Sequence, residues 1–267
     1  MSTASPQFGC TVLGSGSGGN ATVIHGPEGN LLLDEGFSAV EARRRMKNAG
    51  IDPASIRAIL ITHAHTDHMN KHGCAKFAGD LGLPVYLMAD AVEEMVKNEI
   101  NEPKDLHLFE AGTPIDLCGI HIESFTLFHD TPAVGFTFSA HERKIGYATD
   151  LGFVSNLIKP RLRGCDLLVL ESNYDTVMLR RSNRPSYLKH RIESNFGHLG
   201  NEQTMKALEE LLSENTRYLI FAHISHDCND PGLVESLAKA RLAELHREDV
   251  AFFLASRDAP LDTFCLE

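Results

Sequence analysis

The sequence predicts an α/β protein, a mixed β-sheet with helices on its outer faces. Short apolar runs recur along the chain with Gly and polar breaks between them, the pattern of strands. Helical segments are interleaved with them, but a β-rich middle interrupts the alternation, which excludes a plain βαβ repeat. The chain also echoes itself. "LLLDEGF" (Leu31–Phe37) and "YATDLGF" (Tyr147–Phe153) each read as a strand, then Asp, then Gly-Phe. Two halves built alike would each end a strand in an Asp at the same edge of the molecule.

Taken in order, Phe8–Leu13, Ala21–His25 and Leu31–Asp34 read as consecutive strands, with the Gly/Ser-rich Gly14–Asn20 as the first tight connection. Ser38–Ala49 reads as a helix: Ala39, Ala42 and Met46 share a face, and Gly50 follows as a C-cap. Its basic cluster Arg43–Lys47 reads as a solvated helix face. Next come a strand Ala58–Thr62, a helix near Asn70–Leu81, a strand Val85–Leu87 and a helix Asp90–Asn98. The β-rich middle comprises Ile115–Leu117, Ile120–Phe128, Gly135–Ser139 and Lys144–Ala148. The last part alternates again: strand Leu167–Leu170, helix Gly200–Leu212, strand Tyr218–Ala222, helix Pro231–Leu245, and strands near Val250–Leu254 and Leu261–Phe264.

The 267 residues are enough for a substantial core, and a single domain over 1–267 is expected. A net charge of −11 argues against coating nucleic acid by bulk charge, though not against a local basic patch. The first ten residues carry no basic-then-apolar export pattern, and no apolar stretch approaches the roughly 20 residues that span a bilayer. Cys10, Cys74, Cys118, Cys165, Cys228 and Cys265 are scattered, as reduced thiols in a cytoplasmic protein would be.

The chemistry is concentrated at the end of the Ala58–Thr62 strand. His63 and His65 are two apart, so on an extended segment both side chains point the same way. Asp67 and His68 follow once the strand has ended and can turn toward a neighbouring point. Catalytic zinc-type sites use His nitrogen and carboxylate oxygen and keep a position open for water. A polar loop capping a strand is the plainer alternative, but it gives no reason for four ligand-type residues within six positions. His72 reads as a surface residue of the helix that follows.

His63-Ala64-His65-Thr66-Asp67-His68 resembles the His-x-His-x-Asp-His hallmark of the metallo-β-lactamase-fold hydrolases. The resemblance implies a four-layer αββα sandwich of two mixed sheets, with metal ions at one edge. It also implies further ligands at strand ends, where His129, Asp150 and His223 stand. Taken singly, each of these reads equally well as a polar strand cap. By resemblance, His63, His65 and His129 would hold one metal, and Asp67, His68 and His223 the other, with Asp150 bridging. Asp34 would brace the His loop from behind. The donors suit two divalent ions, Zn²⁺ or Mn²⁺, with Fe²⁺ as a further possibility. Histidine rather than cysteine at 223 argues against antibiotic hydrolysis, and Thr66 replaces the carboxylate of the flavo-diiron relatives.

Two dications sharing a bridging water would lower its pKa and supply hydroxide near neutral pH, with Asp67 both binding metal and orienting the nucleophile. The substrate must be read elsewhere. From Thr176 to Arg191 there is no acidic residue, while Arg180, Arg181, Arg184, Lys189 and Arg191 fall within it. A solvated loop is the plainer alternative, but arginine forks suit phosphate oxygens and the stretch follows a strand end near the expected active edge, which puts phosphate contact ahead. "GSGSGGNA", "ESNYD" (Glu171–Asp175), "GHLGN" (Gly197–Asn201) and "AHISHDCN" (Ala222–Asn229) together resemble the WalJ (YycJ) subgroup of bacterial 5′→3′ DNA exonucleases. The sequence departs from that pattern at Tyr174, Gly200 and Cys228, where the subgroup has more often His, Ser and Asn. The expected substrate contacts are Glu171, Asn173, Tyr174 and Asp175 from the resembling motif, with Arg180, Arg181 and Arg184 from the basic stretch. His198 is either a helix-entry cap or a proton donor to the leaving group. Gly14–Asn20 is either a plain hairpin or a set of N–H groups aimed at an anion. The expected activity is hydrolysis of DNA ends. A lactonase or cyclic phosphodiesterase, and a non-catalytic nucleic-acid-binding module, are the alternatives.

Overall fold

The structure, a computed structural model, describes residues 8–266; part of the stretch read for an export signal, residues 1–7, lies outside them. The first strands are β1 (Gly9–Gly14), β2 (Ala21–Gly26), β3 (Gly29–Leu33), β4 (Ile56–Leu60), β5 (Val85–Met88) and β6 (Leu106–Phe109). They are followed by β7 (Ile115–Leu117), β8 (Ile120–Leu127), β9 (Ala133–Ala140), β10 (Arg143–Ala148), β11 (Leu167–Glu171), β12 (Tyr218–Ala222), β13 (Ala251–Leu254) and β14 (Phe264–Cys265). They form two seven-stranded sheets, ordered β14-β1-β2-β3-β4-β5-β6 and β13-β12-β11-β10-β9-β8-β7.

Each sheet begins as an antiparallel meander and continues as parallel strands. β1–β3 are antiparallel and β3–β6 parallel; β7–β10 are antiparallel and β10–β13 parallel. The change comes at β3 in one sheet and β10 in the other, the two strands of the sequence echo. Asp34 and Asp150 follow those strands, so the echo is topological.

The strands explain their own composition. In β11, Leu167 and Val169 enter the core between the sheets, while Leu168 and Leu170 meet the outer helices. A strand covered on both faces reads as an unbroken apolar run. The inter-sheet core joins Val12, Leu31 and Ile59 of one sheet to Phe136, Phe138 and Ile220 of the other. Helices α1 (Ala39–Asn48), α2 (Gly73–Leu81) and α3 (Val92–Lys97) pack on the first sheet through residues such as Met46, Phe77 and Met95. Helix α4 (Lys159–Leu162), α7 (Asn201–Leu211) and α8 (Pro231–Glu244) cover the second through Leu162, Leu208 and Val234. The result is the expected αββα layering.

Some expectations need correction. The basic stretch after Glu171 is not a loop: it folds as α5 (Thr176–Arg181) and α6 (Ser186–Glu193). Both are too short to carry a periodic apolar stripe. The cluster Arg43–Lys47 is not wholly solvated. Arg45 is buried, lies over the Phe37 ring and donates to the carbonyls of Leu13 and Arg257. β6 carries no strand pattern in the sequence because it is a half-polar edge strand. Among the described residues, no helix is long and apolar enough to cross a membrane.

Candidate metal centre

The chain leaves the first sheet after β4 and turns through Thr62–His68. That turn has little regular structure and is held from outside. Asp34, fully buried, accepts hydrogen bonds from Thr62 N (2.8 Å) and Thr62 Oγ1 (3.0 Å) through Oδ1, and from His68 Nδ1 (2.7 Å) through Oδ2. Glu35 N donates to His68 O, and Asn20 N to Asp67 O at 2.7 Å. A Cβ on Gly36 would stand 1.8 Å from Asp67 O, so only glycine permits this approach. Asp34 therefore ties Thr62 and His68 together from behind, and His68 Nε2 is left facing Asp150 Oδ2 at 3.1 Å.

The second half supplies the remaining groups from strand ends. His129 follows β8, Asp150 follows β10 and His223 follows β12; all three are buried. Asp34, Asp150 and His223 adopt left-handed backbone, with φ of 60°, 62° and 53°. Non-glycine residues rarely do so, and such positions cluster at functional sites. The Gly14–Asn20 loop ties the halves together: at its start, Ser15 Oγ accepts from His223 N (2.8 Å), while Asn20 bonds the His turn. The loop thus braces protein groups, a role neither sequence reading gave it.

Four overlapping groups of donor atoms result: His63, His65 and His129; Asp67, His68 and His223; His63, His68 and Asp150; and Asp150, Glu171, His198 and His223. Within each group the atoms lie within 4.8 Å of one another. His129 Nε2, His223 Nε2 and Asp150 Oδ2 are buried without a well-aligned hydrogen bond among the described residues; what they face at 3.1–3.7 Å is one another's neighbours in the donor sets and Asp130. Buried polar atoms are seldom left so, and these converge on the space between the sets. Nitrogen and carboxylate donors in this arrangement fit divalent cations.

The electrostatics divide the histidines. Burial lowers His63 well below the ordinary value, and lowers His65 and His129. Burial also opposes charge on His68, but Asp150, Asp34 and Asp67 outweigh it and hold the ring well above the ordinary value. His223 behaves likewise: against burial, Asp150, Asp67 and Glu171 push it up to about 10. Asp67 is desolvated but drawn down to about 2 by His68 and His223. Glu171 is fully buried. Its Oε1 accepts from His198 Nδ1 (2.8 Å) and His223 Nδ1 (2.9 Å), and its Oε2 from Leu151 N (3.1 Å) and Leu199 N (3.2 Å). Despite burial, Glu171 and Asp150 raise the His198 pKa.

The expected substrate contacts separate. Glu171 is closed to solvent because two imidazoles and two amides fill its carboxylate. Tyr174 is buried in a small cluster with Leu179, Ile192 and Cys228. A Cβ on Gly200 would come within 3.0 Å of the Tyr174 ring. The three departures from the subgroup pattern therefore meet in one place, where a large side chain at 174 leaves little room for one at 200. Asp175 caps α5, accepting from Met178 N at 2.8 Å. Asn173 holds the His223 carbonyl (2.8 Å) and reaches a cavity of about 120 Å³ beside His129, His198 and His223. Arg184 and Arg191 line this cavity, paired with Asp227 and Asp130. Arg180 and Arg181 are exposed on α5, outside it. Sequence reasoning missed Asp130, whose Oδ1 stands 3.2 Å from His129 Nε2 and 3.6 Å from His65 Nε2. Its only signal was a carboxylate directly after a strand-end histidine.

Residues 29–224 match the β-lactamase superfamily domain. The chain is 32% identical over 242 residues to exodeoxyribonuclease YycJ of Bacillus anthracis, covering 89% of each chain. It is 30% identical over 241 residues to exodeoxyribonuclease WalJ of Streptococcus pneumoniae serotype 2, again over 89% of each. Among solved structures, the metallo-beta-lactamase fold protein YhfI from Bacillus subtilis superposes with a TM-score of 0.71. That match covers 96% of this chain and 99% of the other at 17% identity, a likeness of fold.

Proposed function

The chain belongs to the β-lactamase superfamily, here a fold of metal-dependent hydrolases, and on that premise we propose that it cleaves phosphodiester bonds at DNA ends. The observation that carries this reading is the cavity beside the donor set, lined by Arg184 and Arg191 in a chain of net charge −11. Guanidinium forks match phosphate oxygens, whereas a lactone offers them no anion. The names of the two relatives favour DNA over a small phosphodiester, and the subgroup resemblance favours digestion from the 5′ end.

In this reading His63, His65 and His129 hold one divalent ion and Asp67, His68 and His223 a second, with Asp150 shared. Bound there, Zn²⁺ or Mn²⁺ would supply Lewis-acid charge at the phosphoryl centre and acidify water. The protein's own groups do the rest. Asp67 Oδ2, 3.7 Å from His223 Nε2 and 3.9 Å from His68 Nε2, is a carboxylate placed to orient a nucleophile. Glu171 fixes His198 through Nδ1 and favours its protonated form, so Nε2–H donates to the departing oxygen. Arg184 and Arg191 seat the phosphates.

The test offers end-labelled single- and double-stranded DNA, a lactone and bis-p-nitrophenyl phosphate to the Mn²⁺- or Zn²⁺-loaded protein. Release of 5′-labelled mononucleotide is expected, and His65→Ala should lose bound metal and activity together. Turnover of the lactone alone would overturn the reading. Tight DNA binding without cleavage would favour the non-catalytic alternative.

A further inference from the structure

Three phenylalanines stand beside the metal centre without belonging to any apolar cluster of the core. Phe128 immediately precedes His129, Phe153 comes three residues after Asp150, and Phe196 two residues before His198. Their rings form one surface: Phe128 lies 4.7 Å from Phe153, at 32° between planes, and 6.3 Å from Phe196, at 57°. Phe196 is 54% exposed, and Phe128 and Phe153 are half-buried. The backbone beneath is fixed. Gly152 N donates to Phe128 O at 2.9 Å, and a Cβ on Gly152 would lie 2.2 Å from Asn195 O. The loops carrying His129, Asp150 and His198 are thus locked together, and each contributes one ring to the same flank.

Phe128 and Phe153 bury part of their rings against each other, but the exposed face of Phe196 packs on nothing in the core clusters. Beside it, Arg191 pairs with Asp130, two residues from Phe128, yet keeps 53% of its side chain exposed. Aromatic faces next to guanidinium groups are how proteins hold unpaired nucleic-acid strands: bases stack on the rings while the cations follow the phosphates.

We propose that Phe128, Phe153 and Phe196 form a stacking platform for an unpaired base of the strand entering the metal centre, with Arg191 on the neighbouring phosphate. Phe196 presents the free face. The proposal rests on the nuclease reading and adds that the enzyme grips single-stranded ends by a base next to the scissile position.

The test is a cycle between one protein change and one DNA change. Phe196→Ala and the unaltered, metal-loaded protein are titrated with a fluorescent single-stranded oligonucleotide made cleavage-resistant by phosphorothioate linkages, and with its abasic counterpart. Phe196→Ala should weaken binding to the normal strand by roughly tenfold, the scale of one lost base–aromatic stack. It should leave abasic binding unchanged, and Phe196→Tyr should restore the normal strand. Equal loss on both strands, or no loss on either, overturns the platform. So does a change of oligomeric state in sedimentation, which would make the patch a protein interface. If the unaltered protein cuts labelled DNA while Phe196→Ala binds normally, the platform fails and the nuclease reading stands; no cleavage or binding by the unaltered protein fails both.

Discussion

Glu171 Oε1 holds His198 and His223 at once, at 2.8 Å and 2.9 Å through their Nδ1 atoms. Both rings are thereby fixed in orientation, with Nδ1 on the carboxylate and Nε2 turned away from it. In the proposed reading His223 would belong with the ligand set, whereas His198, one-fifth exposed, lines the cavity on the side a leaving group would take. A general acid matters only when the leaving oxygen is a poor one. His198→Ala should therefore lower kcat on DNA by about 10²-fold or more, while hydrolysis of bis-p-nitrophenyl phosphate, whose leaving group departs unaided, changes little. Equal losses on both substrates would make His198 a structural or ligand residue. Glu171 and Asp150 raise the His198 pKa. Without the Glu171 charge the ring loses its proton at lower pH, so Glu171→Gln should move the basic limb of the kcat profile toward acid. A profile that keeps its shape would separate the carboxylate from the acid role.

At the scale of elements, the site is made from the ends of strands. β3, β10 and β12 each lead into a left-handed residue, Asp34, Asp150 and His223, and that backbone turns the chain sharply at the sheet edge. The His turn after β4 is held by contact with the segment after β3, closest at Gly36. Gly36→Ala would push a methyl group into Asp67 O, so the turn carrying Asp67 and His68 must move. Metal content should fall while far-UV circular dichroism, set by the sheets and helices, is retained; full metal content would show that the turn adapts. How much of this was legible follows from distance along the chain. His63 to His68 was readable because six consecutive residues supply four donors. His129, Asp150 and His223 became readable only together with that motif, since any strand may end in a polar residue. The inward aim of Glu171 was not readable, because it depends on His198 and His223, 27 and 52 residues away. The Tyr174–Gly200–Cys228 cluster and the phenylalanine flank were hidden for the same reason: each is assembled from separate loops.

Across the whole molecule, the two proposed ligand sets, each drawn from both halves, bring opposite protonation to the centre. His63, His65 and His129 are held neutral by burial, ready to donate lone pairs. His68 and His223, among carboxylates, hold protons at neutral pH. A cation at the first set displaces no proton, whereas one at the second must displace them. The sign of the pH dependence follows. In the chelated protein, His223 is raised from 6.5 to about 10, so its stabilising contribution is complete below 6.5 and is lost as pH rises through 10. Asp67, lowered from 3.8 to about 2, contributes above 3.8 and loses that as pH falls through 2. The chelated fold should therefore weaken between pH 7 and 10, the same range in which affinity at the second set grows as protons leave. Zinc titrated into the chelated protein at pH 7, in two buffers of different ionisation enthalpy, should give one binding event independent of buffer and one whose heat shifts with it. Melting temperature should rise with metal, and by more at pH 9 than at pH 7. Two buffer-independent events would mean that His68 and His223 already stand neutral, and that the carboxylates around them serve to place the rings rather than to charge them.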